Sequence, residues 1–258
     1  MLIVISPAKT LDFESEVTTS IASRPLFPSK AEVLIKKLRT LSKKKLMALM
    51  SISKDLANLN AERYINWEAG DDIGLEKQAL LAFKGDVYLG LEASNFSDSD
   101  FEYAQDHLRI LSGLYGVLRP MDLIQPYRLE MGSKLKSGRK KDLYDFWGTQ
   151  ITEHLNESFG EGEKQYLINL ASQEYFNAVK PAVLNAEVIT PVFLDKKGED
   201  YKIVSFWAKK ARGIMTAWIV SNRIENHEEI KAFNLAGYVF NEEMSDSNKW
   251  AFTRDQPQ

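Results

Sequence analysis

No cysteine occurs among the 258 residues of this chain, which excludes disulfide scaffolding, thiolate nucleophiles and iron–sulfur ligation together. Long hydrophobic runs are missing too. Leu2-Ile3-Val4-Ile5, the longest aliphatic run near the start, is far shorter than a signal-peptide core or a membrane span. The expected location is therefore the cytoplasm, with no membrane partner. His107, His154 and His227 are scattered without metal-ligand spacing, so no metal or other cofactor is expected. Walker A loops, Gly-x-Ser-x-Gly elbows and ferritin-like Glu-x-x-His pairs are all absent from the sequence, which removes support for three common chemistries.

What remains is ordinary globular composition, 44% hydrophobic and 27% charged, with a net charge of -3. So small a total says nothing about a polyanionic partner; only the placement of the charges can.

Leu2 to Ile5 reads as a buried strand ended by Ser6-Pro7. A helical pattern starts at Ser29, with Leu34, Leu38 and Leu41 on one face. Ser42 suits the N-cap of a second helix carrying Leu46, Leu49 and Met50, and a third follows through Leu56, Leu59 and Arg63. Ser99 and Glu102 fit a capping box. Residues 109–141 are broken up by glycine, proline and arginine. Helix is expected from Leu143 to Phe159, strand from Tyr166 to Leu170, and helix from Ser172 to Val179. A hairpin is expected around Lys196-Lys197-Gly198, then a long helix from Phe206 to Arg223, then strands at Tyr238–Phe240 and Trp250–Phe252. No linker or repeat divides the chain. The expectation is one α/β domain over residues 1–258, with a central mixed sheet and surrounding helices.

Four stretches could carry chemistry. Ser6-Pro7-Ala8-Lys9-Thr10 follows the opening strand, where open α/β sheets bind ligands. Leu111 to Pro120 sets Gly113 and Gly116 in an apolar frame. Such glycines can expose bare N–H groups to phosphate, and Arg119 adds charge. This piece is similar to the turn of a helix-hairpin-helix motif, with Gly-x-x-Gly in place of Gly-x-Gly. From Arg119 to Lys141, seven cations face only Asp122 and Glu130, an excess of five, and Arg128 sits beside Tyr127. On the long helix, Trp207, Ala211, Ile214 and Trp218 form a core-facing stripe. Lys209, Arg212, Thr216 and Arg223 share another face, flanked by Lys210. Acids gather elsewhere, at Asp98–Asp106 and Glu225–Glu243.

Several of these segments, in this order, resemble the YaaA family of bacterial peroxide-stress proteins. The resemblance rests on LIVISPAKTL at 2–11, AFKGDVY at 82–88, LSGLYGVLRP at 111–120 and QPYRLEM at 125–131. NLAS at 169–172 and AKKARG at 208–213 complete it, while the loops at 135–141 and 160–165 contribute little. It implies a mixed α/β fold with a basic cleft and a helix-hairpin-helix-like element. It also implies binding to double-stranded DNA, and resistance to peroxide tied to limiting free iron and iron-promoted DNA damage. On that reading Lys9, Lys84, Arg119, Arg128, Lys209, Lys210 and Arg212 meet phosphates, while Gly113 and Gly116 admit the backbone. The alternative is an enzyme acting on a small phosphorylated or nucleotide-like anion, with Asp86 and Glu130 as acid–base groups.

Overall fold

The structure is a computed structural model that describes residues 1–17, 19–70, 74–160 and 164–255. Residues 161–163, within the second loop named above, lie outside the described residues.

The chain opens on β1 (Leu2–Ile5) and a short β2 (Thr10–Leu11). Three helices follow: α1 (Pro28–Arg39), α2 (Lys43–Met50) and α3 (Lys54–Asn66). Short pieces come next, β3 (Lys77–Gln78), α4 (Ala79–Ala82), β4 (Phe83–Lys84) and α5 (Asp86–Leu91). Helix α6 (Asp98–His107) runs straight into β5 (Leu108–Ser112), which turns back as β6 (Gly116–Leu118) before β7 (Leu123–Ile124). Then come α7 (Leu143–Trp147), α8 (Gln150–Glu157), β8 (Tyr166–Leu170) and α9 (Gln173–Phe176). The hairpin of β9 (Glu187–Lys197) and β10 (Asp200–Lys202) precedes α10 (Ser205–Ser221), β11 (Val239–Asn241) and β12 (Lys249–Arg254).

The main sheet has the order β11-β12-β9-β8-β1-β5-β6, with β10 paired to β9. Strands β12, β9, β8, β1 and β5 are mutually parallel, and β11 and β6 close the edges antiparallel. Central parallel strands are covered on both faces, which is why β1 is an unbroken Leu-Ile-Val-Ile run with every residue buried. One hydrophobic core extends from Leu2 to Phe252 and takes in Met50, Met121, Met131 and Met215. No helix among the described residues is long and apolar enough to cross a membrane.

Local chemistry moves several expected boundaries. The capping box is formed by Ser97 and Asp100, two residues earlier than Ser99 and Glu102. The helix expected from Leu143 to Phe159 is split by Gly148, at φ 56°, into α7 and α8. In α3 the buried face is Ala57, Asn60 and Tyr64, and Leu56 and Leu59 point outward.

The helix-hairpin-helix-like element also lies elsewhere than expected. Gly113 and Gly116 belong to the β5–β6 hairpin at the sheet edge. Instead, α2 and α3 are joined by Ser51-Ile52-Ser53, with Ser51 left-handed at φ 52°, ψ 50°. Ser51 and Ser53 stand where the motif carries its Gly-x-Gly. Ile52 is buried between the helices, and the Ser53 hydroxyl accepts from the Leu56 N–H to cap α3. The sequence signal was Leu46-x-x-Leu49, then Ser51-Ile52-Ser53 and Ala57, with serines in place of the glycines that advertise such a turn.

Helices α5 and α10 cross with their backbones in contact. A Cβ on Gly213 would lie 1.8 Å from the Val87 carbonyl oxygen, and one on Gly90 would lie 2.1 Å from that of Lys210. No L-side chain fits at either point. Gly213→Ala is expected to force the helices apart and destabilise the protein by about 3 kcal/mol, the upper range of overpacking costs. Chemical denaturation checks this; a loss below about 1 kcal/mol would show that the crossing adjusts freely.

Candidate functional site

After β1 the chain crosses to β5 on one side and only later places β8 on the other. β1 is therefore the point where strand order reverses, and the carboxyl ends of β1 and β8 bound the crevice in which open α/β sheets hold ligands. The β2–β4 ladder pairs Thr10 with Lys84 and so pins the Ser6–Thr10 loop against Lys84-Gly85-Asp86. Gly85 packs closely on Ala8, leaving 3.2 Å between an added Cβ and that methyl group. The α5–α10 crossing supplies Lys209 and Arg212.

The result is a cavity of about 380 Å³ lined by Ser6, Lys9, Lys84, Tyr88, Tyr175 and Arg212, with Asp86, Ser172, Glu174 and Lys209 among its other walls. Four cations face two carboxylates here, Asp86 and Glu174, an excess of two positive charges. Lys9 lies 3.6 Å from Glu130, Lys84 3.4 Å from Asp12 and Lys209 3.6 Å from Asp86. Those lysine side chains are 66%, 59% and 51% exposed, so the pairs are weak and an incoming anion can compete for them. Asp12 accepts from the N–H groups of Ser15 and Glu14, and the Ser15 N–H is the main reason its carboxyl lies far below the usual range. That fixed charge orients Lys84.

Arg212 differs from the lysines. Its guanidinium is half-buried and has no hydrogen-bond, ionic or ring partner among the described residues. Burial lowers its pKa. Nearby, Ser6 Oγ donates to Ser172 Oγ at 3.2 Å and accepts from the Ser172 N–H at 2.8 Å. The Ser172 hydroxyl proton is thereby left for another acceptor. Tyr88 donates to the Ser6 carbonyl at 3.1 Å, and burial drives the pKa of Tyr88 and Tyr175 well above the ordinary tyrosine value. Both rings serve as neutral walls.

The other expected site residues separate into distinct places. Arg128 and Glu130 line a narrow slot that shares Lys9 and Tyr175 with the crevice. Arg128 holds Glu130 Oε1 through Nε at 3.1 Å and Nη2 at 2.9 Å, while Oε2 is buried without a donor. The guanidinium is thus already engaged by a carboxylate. Lys210 is absent from the crevice lining, and its carbonyl faces Gly90 across the helix crossing.

Arg119 is far from the crevice. It follows β6 toward the opposite end of the sheet and binds the fully buried Asp122, with Nη2 to Oδ1 at 2.9 Å and Nη2 also donating to the Arg24 carbonyl. Gly113 and Gly116 are buried. Gly113 lies against the Leu129 carbonyl, and its own oxygen accepts from Trp147 Nε1 at 3.1 Å. Gly116, at φ 75°, faces the Trp147 ring, which an added Cβ would meet at 2.8 Å. These glycines serve packing, and neither offers a nest to solvent.

A second basic surface was missed as a unit in the sequence. Between Pro28 and Lys54 there are seven lysines and Arg39 against the single acid Glu32, an excess of seven. Arg39 is used structurally, capping the carbonyls of Tyr64, Ile65 and Trp67 at the end of α3. Lys43, Lys44, Lys45 and Lys54 flank the α2–α3 hairpin and are exposed. Tyr64 of α3 donates to the Arg128 carbonyl, so this helix pair abuts the slot beside Lys9. Between α3 and Lys84 lies a larger cavity of about 730 Å³, with Asp12, Glu14, Glu62 and Glu68 against Arg63 and Lys84. That cavity is net acidic and separates the two basic regions.

Fold and crevice together define a parallel-core α/β protein with a cation-rich site at its switch point. The family model described as peroxide stress protein YaaA matches residues 1–244. A UPF0246 protein of Cellvibrio japonicus (strain Ueda107) is 52% identical over 257 residues, covering 100% of both chains. The chain belongs to the YaaA peroxide-stress family, and this membership supports a role in peroxide stress.

Gly116→Val is expected to destabilise the protein by about 3 kcal/mol, through a left-handed β-branched residue and a clash with Trp147. Anion or DNA affinity per folded molecule should stay unchanged. Thermal melts with parallel binding titrations check this, and lost affinity in a fully folded variant would return the hairpin to the site.

Proposed function

We propose that this protein binds double-stranded DNA under peroxide stress, and that this binding limits iron-promoted oxidative damage. The observation carrying the reading is the α2–α3 helix-hairpin-helix-like element, on which Lys43, Lys44, Lys45 and Lys54 are exposed and outnumber the neighbouring Asp55. Lys54 stands in the first turn of α3, at the helix's positive end and next to Asp55, and Lys43-Lys44-Lys45 form the first turn of α2. A duplex seated there gains further backbone contacts from Lys9, Lys84 and Lys209 at the crevice rim. All these contacts are to phosphate, so they position the protein without selecting a base sequence. The net charge of -3 is no obstacle, because local basic surfaces steer a polyanion even when the total charge is negative. Any lowering of free iron is then indirect, since no group of three His, Asp or Glu side chains suited to a metal ion occurs among the described residues.

Contact with about four to six phosphates sets the slope of log K against log salt at roughly -4 to -5. Lys44→Glu and Lys54→Glu should each weaken duplex binding about tenfold and reduce that slope by about 1, with melting temperature unchanged. Salt-insensitive binding, or variants that bind like the parent protein, would remove the hairpin from the interface.

A further inference from the structure

We propose that the switch-point crevice is a binding site for a nucleotide-sized phosphate ester, anchored by Arg212. The proposal goes beyond duplex binding: the hairpin lysines grip a backbone from outside, whereas this cavity encloses one phosphate-bearing unit.

A half-buried guanidinium normally has a carboxylate or carbonyl against it, because desolvating an unpaired charge is costly. Arg212 lines the cavity with no such partner, although Asp86 and Glu174 are in the same walls. Asp86 lies 3.6 Å from Lys209, Glu174 accepts from the Gly132 N–H at 2.9 Å, and neither forms an ion pair with Arg212. The chain therefore leaves its least solvated crevice cation uncompensated, with a planar five-donor fork suited to a phosphate oxygen pair. The hydroxyl of Ser172, fed by Ser6, and that of Thr10, which has no partner among the described residues, add neutral donors. Lys9 and Lys209 supply movable ammonium groups at the rim. Burial of Arg212 strengthens its own interaction with an anion.

Size and wall chemistry say what the phosphate is attached to. Inorganic phosphate would fill a small part of 380 Å³, a volume within the range of small-molecule sites. Tyr88 and Tyr175, held neutral, together with Pro7 and Val87, give the remaining space apolar and aromatic walls. A sugar and base occupy such a space with the ring against tyrosine. The unit has two sources, a free mononucleotide or a nucleotide swung out of a duplex, and the second rests on the DNA-binding reading above.

Calorimetric titration of the intact protein distinguishes them, using AMP, inorganic phosphate, a fully paired duplex and the same duplex with one bulged adenosine. For a free nucleotide, AMP should bind at least about tenfold more tightly than inorganic phosphate. Arg212→Met should lose about tenfold in AMP affinity while changing paired-duplex affinity less than about twofold. For an extrahelical nucleotide, AMP is silent, the bulged duplex binds about tenfold more tightly than the paired one, and Arg212→Met abolishes that preference. Lys209→Met, at an exposed position, should weaken the same ligand about threefold and carries the comparison if Arg212→Met does not fold. The proposal is overturned if the parent protein shows neither AMP binding nor bulge preference, if inorganic phosphate binds as well as AMP, or if the folded variants bind like the parent. AMP binding with no duplex binding would remove the DNA reading and leave this one standing.

Discussion

Everything at the site depends on two helices being allowed to touch backbone to backbone. Gly90 and Gly213 remove the side chains that would hold α5 and α10 apart, and Ala208 and Ala211 keep the α10 face low beside them. Only at that separation do Lys209 and Arg212 reach over Asp86 toward the carboxyl ends of β1 and β8. The β2–β4 ladder then fixes Lys9 and Lys84 on the other wall. Cations from three separate stretches of chain meet because two glycines and one two-residue ribbon set the distances. The lysines themselves add little to the fold, since each is exposed and weakly paired.

Charge is sorted within this frame by burial. Where a cation is needed for structure, the fold gives it an oxygen partner: Arg39 takes the carbonyls ending α3, Arg119 takes Asp122, and Arg254 takes Asp195. Where the cation faces the crevice, its pairing is solvent-exposed and weak, or absent among the described residues. The contrast between Arg119 and Arg212 is the clearest case. Both are half-buried arginines, yet one is paired with a buried carboxylate three residues away and the other has no partner among the described residues.

Much of the architecture could be read directly from residue order. The β1 run, the β9–β10 hairpin at Lys196-Lys197-Gly198 and the long α10 each follow from periodicity and turn chemistry that tertiary packing does not oppose. The site was legible in part. Lys9 was visible in the Ser6–Thr10 loop that ends the opening strand, and Lys209 and Arg212 as an acid-free helix face. The errors have physical causes. Glycine was taken as the mark of a phosphate-binding turn, but Gly113 and Gly116 make room for Leu129 and Trp147. The left-handed residue of the actual hairpin is Ser51, a residue type that rarely takes this conformation. Arg119 was counted as a free charge because the burial of Asp122 depends on the edge of the sheet, which no local pattern reveals.

The distribution of sulfur has a consequence for a protein of oxidative stress. Thiols are absent altogether, and Met50, Met121, Met131 and Met215 lie inside the hydrophobic core. Peroxide reaches thioethers at a rate governed by access, and a sulfoxide in a core would introduce a polar group with no partner. Sealing these four thioethers away slows the oxidant's attack on the packing that holds the helices together. Oxidant reaches these four only while the core is locally open, at a rate set by the open fraction times the oxidant concentration, whereas Met244, 45% exposed, stands as a sacrificial thioether outside the packing.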